Sequence, residues 1–194
     1  LIGVLVSGSG TNLQALIDAE LPIVCVGSNK PGVLGLERAA KAGIETGVFK
    51  LESYPDRPAR DTALTDWLLG RGVEWVVLAG YMHVLTPAFL NRFTGRVINL
   101  HPALLPSFPG AHAIDEALEY GVRWTGVTVH FVDEGVDTGR VILQEPVEVR
   151  DDDNSETLAE RIHAVEHRLL PEAVRLCLDG RVRLEESSRR VMIT

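Results

Sequence analysis

Short apolar, β-branched runs alternate with longer stretches of helical periodicity through the first half of the chain. That alternation constrains the fold more than any other feature. Leu1–Val6, Ile23–Val26, Val73–Ala79 and Arg96–Leu100 predict strands, the third nearly all apolar as a buried parallel strand must be. Asn12–Ala19, Leu34–Ala42 and Ala59–Leu69 predict helices, with Gly43 and Gly72 at C-terminal capping positions. Strands that alternate with helices imply parallel βαβ units, hence an α/β fold with a mostly parallel, doubly wound sheet.

The pattern changes after Pro102. A proline-rich loop, Pro102 to Gly110, precedes a short helix around Ile114–Tyr120. Two strand-like stretches, Gly126–Val132 and Arg140–Val149, flank the turn-forming segment Asp133–Gly139. They predict an antiparallel C-terminal extension of the same sheet within a single domain, residues 1–185, followed by a tail over 186–194. Asp151–Asn154 with Ser155 offers an N-terminal cap for a long last helix. Its buried stripe is Leu158, Ile162, Val165 and Leu169, and Pro171 is expected to end or kink it.

Composition narrows the function classes. Of 194 residues, 45% are hydrophobic and 24% charged, an ordinary globular balance. The formal net charge of −8 argues against a nucleic-acid binder that relies on broad phosphate attraction, so an anionic substrate needs local donors. No apolar run reaches a membrane span and no signal-peptide pattern precedes the first strand. Cys25 and Cys177 form no close pair of metal or redox type, which fits a reducing, cytoplasmic setting. The chain opens on an apolar run, so its N-terminus is expected to be trimmed by a residue or two. A homodimer is allowed by the sequence but not specified by it.

Three groups of residues carry candidate chemistry. Gly8-Ser9-Gly10-Thr11-Asn12 follows the first strand and opens the first helix, where backbone N–H groups can hold an anion. A dinucleotide site would want a small residue in place of Leu13 and a carboxylate after the second strand, where Gly27-Ser28-Asn29-Lys30 stands instead. A glycine-rich turn without a ligand is the alternative. Asn99 and His101, two apart at a strand end, project to one face and offer an oxyanion donor beside a proton-exchanging imidazole. Such residues also serve merely to satisfy loop backbone. Asp137 lies in a glycine-flanked turn from which a carboxylate can orient His101, although aspartate in a turn is also ordinary turn chemistry.

These segments resemble the folate-dependent glycinamide ribonucleotide formyltransferases over the chain up to about Leu184. The likeness is carried by Ser7-Gly8-Ser9-Gly10-Thr11-Asn12-Leu13-Gln14, Leu78-Ala79-Gly80-Tyr81-Met82, Asn99-Leu100-His101-Pro102-Ala103-Leu104-Leu105-Pro106 and Val136-Asp137-Thr138-Gly139. The resemblance implies formyl transfer from 10-formyltetrahydrofolate to the amine of glycinamide ribonucleotide, without a metal. It makes Asn99, His101 and Asp137 the catalytic set, and Gly10, Thr11, Asn12 and Glu166 the ribonucleotide contacts. Arg57, Met82, His83, Val84, Leu85 and Asn99 become the folate contacts. The family usually reads Arg-Ile-Leu after the methionine, whereas His83-Val84-Leu85 stands here, exchanging a permanent cation for a titratable ring. Considered without the resemblance, Glu166 sits at the edge of the buried stripe and is expected to be half-exposed, and Arg57 is an ordinary surface residue at a helix start.

Other readings compete. His163-Ala164-Val165-Glu166-His167 matches an inverted zinc pattern but needs a further ligand from elsewhere. A formyltetrahydrofolate hydrolase shares the Asn–His–Asp chemistry but normally carries an extra N-terminal domain. A methionyl-tRNA formyltransferase normally adds a nucleic-acid-binding C-terminal domain. A non-catalytic nucleotide-binding module would keep the first loop without the Asn–His–Asp set.

Overall fold

A computed structural model describes residues 1–185 and 188–194; Glu186 and Ser187, in the stretch expected as a tail, lie outside the described residues. The chain forms two compact units, Leu1–Asn99 and Leu100–Thr194.

The first unit begins with β1 (Ile2–Val6), every residue of which is buried. It continues through α1 (Thr11–Asp18), β2 (Ile23–Ser28), α2 (Leu34–Lys41), β3 (Glu45–Val48), α3 (Arg57–Leu69), β4 (Trp75–Leu78) and a single turn, α4 (Pro87–Leu90). β5 (Val97–His101) starts in this unit and carries the chain into the second. Strand order is β3-β2-β1-β4-β5 and every pairing is parallel. The central strands β1 and β4 are apolar on both faces, as expected where helices cover both sides of a parallel sheet. β3 is a strand that the sequence reading lacks. Its residues are almost all exposed, so no apolar run announces it.

From β1 the chain winds outward through β2 to β3, then returns to lay β4 on β1's other side. The carboxyl ends of β1 and β4 therefore flank the switch point at which open α/β sheets bind ligands. Two loops emerge there, Ser7–Gly10 and Ala79–Thr86, and Ser7 N–H donates to Gly80 O at 3.1 Å.

The second unit holds α5 (Ala113–Tyr120), β6 (Trp124–Phe131), β7 (Val141–Glu148), α6 (Ser155–Leu178), β8 (Val182–Leu184) and β9 (Val191–Ile193). β6 and β7 are antiparallel, as expected. Their register jumps from Val129↔Leu143 to His130↔Val141, and such irregularities re-aim side chains at strand ends. β9 pairs with β8, so part of the expected tail is ordered strand.

α6 begins at Asn154, whose side chain accepts from the N–H groups of Glu156 and Thr157, while Thr157 Oγ1 accepts from Asn154 N–H. Of the two outcomes expected at Pro171, an end to the helix does not occur: α6 runs on to Leu178. A mid-helix proline costs about 3 kcal/mol. Burial of Leu169, Leu170, Pro171, Ala173 and Val174 offsets that here. The stripe also differs from expectation. Val165 is only half-buried, and Glu166 takes a place in the buried row between Ile162 and Leu169.

Candidate active site

In the first unit, Gly10 adopts φ +69° and caps α1 with no side-chain hydrogen bond and no acidic residue in the first turn. The left-handed backbone suits only glycine, and a Cβ there would lie 2.5 Å from Gly35 Cα. Gly35 N–H donates to Gly8 O at 3.0 Å and Arg38 Nε to Ser9 O at 2.9 Å, which hold the loop from behind. Gly8 and Ser9 stay exposed, and Thr11 and Asn12 are half-buried on the first turn. A helix N-terminus without an acidic side chain or side-chain cap suits an anion.

The second loop of this unit is anchored by a polar network that the sequence reading missed. Ser7 Oγ accepts from Met82 N–H at 2.9 Å and meets the Asn29 carboxamide at 2.5 Å. The other end of that carboxamide lies 3.1 Å from His83 Nε2. Arg60, wholly buried on α3, donates Nη1 to Tyr81 OH at 3.1 Å and to His83 Nδ1 at 2.8 Å. Its Nε donates to buried Asp61 at 2.6 Å, and Asp61 Oδ2 accepts from both Thr86 N–H and Thr86 Oγ1 at 2.7 Å. A guanidinium only donates, so Nδ1 of His83 accepts and the ring is neutral. Burial, then the positive charges of Arg60, Arg57 and Lys30, lower the His83 pKa, while Asp61 opposes them.

Inside this frame part of the loop's backbone stays unpartnered. Among the described residues, the main-chain N–H and C=O groups of His83, Val84 and Leu85 have no hydrogen-bond partner. The Met82 and Val84 side chains are 65% and 53% exposed, whereas Leu85 turns into the core. Arg57, in the first turn of α3, is exposed without a hydrogen-bond partner among the described residues.

In the second unit, buried His101 ends β5. Its Nδ1 lies 3.3 Å from Asp137 Oδ2, and its Nε2–H donates to Phe108 O at 2.6 Å. Asp137 Oδ2 also accepts from Gly110 N–H at 2.8 Å. A second buried imidazole, His130 on β6, places Nε2 3.6 Å from Asp137 Oδ1 and gives Nδ1–H to Phe131 O at 2.8 Å. Burial alone would raise the Asp137 pKa. His130, the Gly110 N–H and His101 outweigh it and hold the carboxyl below its ordinary value. His130 was not among the expected site residues. The signal for it was present: a titratable side chain in a strand with no other ionisable group needs a partner once buried. Asn99, half-buried and the last residue of the first unit, precedes His101 by two on β5. Beside Asp137 opens a cavity of about 500 Å³, walled by Leu105, Pro106, Val136, Arg140 and Arg189.

Glu166 is 4% exposed, not half-exposed, and accepts from His163 Nδ1 at 2.8 Å. That contact explains how a carboxylate sits in the apolar row, and it raises the His163 pKa. The His163 and His167 rings stack at 6.4 Å with planes 13° apart. Among the described residues no group of three potential metal ligands gathers there or elsewhere. No helix among them is long and apolar enough to cross a membrane.

The formyl transferase family model matches residues 2–174. A crystal structure of glycinamide ribonucleotide transformylase 1 from Symbiobacterium toebii is 47% identical with a TM-score of 0.95, covering 99% of this chain and 92% of that one. Phosphoribosylglycinamide formyltransferase of Haemophilus influenzae is 41% identical, over 96% of this chain and 91% of its own length. Trifunctional purine biosynthetic protein adenosine-3 of Chironomus tentans is 50% identical over 95% of this chain. The chain spans 14% of that relative and 20% of its Bos taurus counterpart.

Proposed function

Because the chain belongs to the formyl transferase family, we propose that it moves the formyl group of 10-formyltetrahydrofolate onto the amine of glycinamide ribonucleotide, a step of purine biosynthesis. The observation that carries the reading is the buried imidazole of His101 facing Asp137, two residues beyond Asn99 on the same strand.

The amine nitrogen attacks the formyl carbon and the carbonyl oxygen takes up negative charge. The Asn99 carboxamide donates to that oxyanion, and His101, oriented by Asp137, stabilises the intermediate and provides a proton path. For His101 Nε2–H to reach substrate, Phe108 O gives up its hydrogen bond. Collapse breaks the bond between the formyl carbon and N10 of the folate. The attacking nitrogen loses one proton, N10 gains one, and formylated ribonucleotide and tetrahydrofolate leave. Asp137, held ionised, orients the ring throughout and organises water for the exchange.

Gly10, Thr11 and Asn12 receive the ribonucleotide phosphate, since the uncapped first turn of α1 favours an anion. Glu166 contacts the ribonucleotide. The free backbone groups of His83 to Leu85 receive the folate pterin, with Met82 as a wall and Arg57 toward the anionic tail. The two buried free thiols suit a reducing compartment, and we place the reaction in the cytoplasm.

An acceptor assay tests the reading. 10-Formyltetrahydrofolate is offered with glycinamide ribonucleotide, with water alone, or with charged initiator tRNA. Tetrahydrofolate release should depend on the ribonucleotide. Release at the same rate without it would make the chain a hydrolase instead.

A further inference from the structure

The chemistry of the Ala79–Thr86 loop leaves one feature unexplained. A wholly buried arginine is rare and costly, and Arg60 is more strongly embedded than its one carboxylate partner requires. Asp61 uses Oδ1 for Arg60 Nε, and the single nitrogen Nη1 reaches both Tyr81 and His83. Both of those acceptors lie on the loop, on either side of exposed Met82. Asp61 Oδ2 grips the loop's other end at Thr86. One buried ion pair on α3 thus holds the loop at three residues, and the segment between them carries the unpartnered backbone groups of His83, Val84 and Leu85.

We infer that Arg60 is a positioning residue for folate: by holding Tyr81 and His83 from α3, it fixes the shape in which Met82 to Leu85 bind 10-formyltetrahydrofolate. The inference rests on the reading of Met82–Leu85 as the folate segment. It also accounts for His83 where the resembled family usually has arginine. The cation comes from α3, and position 83 becomes the acceptor that receives it.

The arrangement depends on a neutral ring. A proton on Nδ1 removes the acceptor for Arg60 and adds a positive charge beside Arg60, Arg57 and Lys30, against the single carboxylate of Asp61; Tyr81 packs edge-on at 6.0 Å and is uncharged. Folate affinity therefore falls in acid, at a pH below the ordinary histidine value of 6.5. The affinity for the ribonucleotide does not follow it.

The experiment measures KM for each substrate across about pH 5 to 8. The proteins are the native chain, Arg60→Lys, His83→Gln and Met82→Asp. Lysine keeps the charge beside Asp61, so the fold is retained, but its one nitrogen cannot serve Asp61 and the loop together, as Nε and Nη1 of arginine do. Arg60→Lys should raise the folate KM by roughly tenfold and leave the ribonucleotide KM within about twofold. In the native chain the folate KM should climb in acid; in His83→Gln, which accepts without titrating, that climb should vanish. If Arg60→Lys leaves the folate KM unchanged, or raises both KM values together, while Met82→Asp raises the folate KM, the positioning role is overturned and the folate segment stands. If Met82→Asp also leaves the folate KM unchanged, the segment itself is misassigned and the inference falls with it.

Discussion

His101 and Asp137 face each other across 3.3 Å, Nδ1 to Oδ2, while the Phe108 carbonyl takes the ring's other nitrogen at 2.6 Å. Both residues that grip the ring hold left-handed backbone, Phe108 at φ +51° and Asp137 at φ +53°. Such conformations cost about 1–2 kcal/mol each for non-glycine residues. Strain of this kind gathers where surrounding structure over-determines a site.

Replacing either member of that pair should disable the chemistry and spare the fold. Asp137→Asn and His101→Ala should each lower kcat by roughly 10²–10⁴-fold. Circular dichroism should remain native. Near-normal turnover in both variants would remove the pair from catalysis.

The pairing of His163 with Glu166 has a defined pH dependence. The His163 pKa is raised by its hydrogen bond to Glu166, so the contact's contribution is full below the unfolded value of 6.5 and fades as pH rises through the folded value. The stability difference between the native chain and His163→Ala should therefore shrink toward zero on the alkaline side. Melting curves in a pH series read this directly, and a gap that widens with pH would contradict it. Glu166→Gln should raise the ribonucleotide KM and leave the folate KM unchanged.

Gly10 and Gly8 should differ in their response to alanine. At Gly10 the φ of +69° and the 2.5 Å approach to Gly35 leave no room for a Cβ, whereas nothing lies within 4 Å of one at Gly8. The backbone term alone costs about 1–2 kcal/mol, so Gly10→Ala should lower Tm by roughly 3–8 °C or more. Gly8→Ala should melt near the native temperature. Equal losses would show that the loop's shape is not set at Gly10.

Arg60 and Asp61 are both fully buried, and removing one strands the other. Asp61→Ala should cost about 3–5 kcal/mol in denaturant unfolding, because it leaves an unpaired guanidinium and an uncapped Thr86 N–H. Asp61→Asn keeps an acceptor for Thr86 and should cost less. A loss below about 1 kcal/mol for Asp61→Ala, the level of an exposed ion pair, would show that solvent reaches the guanidinium.

Much of the fold was legible in the residues because its signals are local. The strand periods of β1, β2, β4 and β5, the helical stripes, and the cap at Asn154 all act within a few residues of one another. β3 escaped because an exposed edge strand carries no apolar run. The sequence left open whether α6 would pass Pro171, because the burial that sustains the helix there involves residues distant in the chain. In the site, the Gly8–Asn12 loop and the Asn99–His101 pair could be read as segments. The resemblance to a family named Asp137 and Glu166 with roles that local chemistry alone did not require.

The sequence by itself determined the alternation of elements, the turn that frees an α1 N-terminus, and the spacing that turns Asn99 and His101 to one face. Tertiary structure alone decided which polar groups became buried partners across segments: Arg60 with His83, 23 residues apart, and His130 with Asp137. Periodicity reports only whether a side chain faces inward. A buried charge persists only where folding delivers a partner to it, and that partner's identity is a property of packing among segments, which no local pattern encodes.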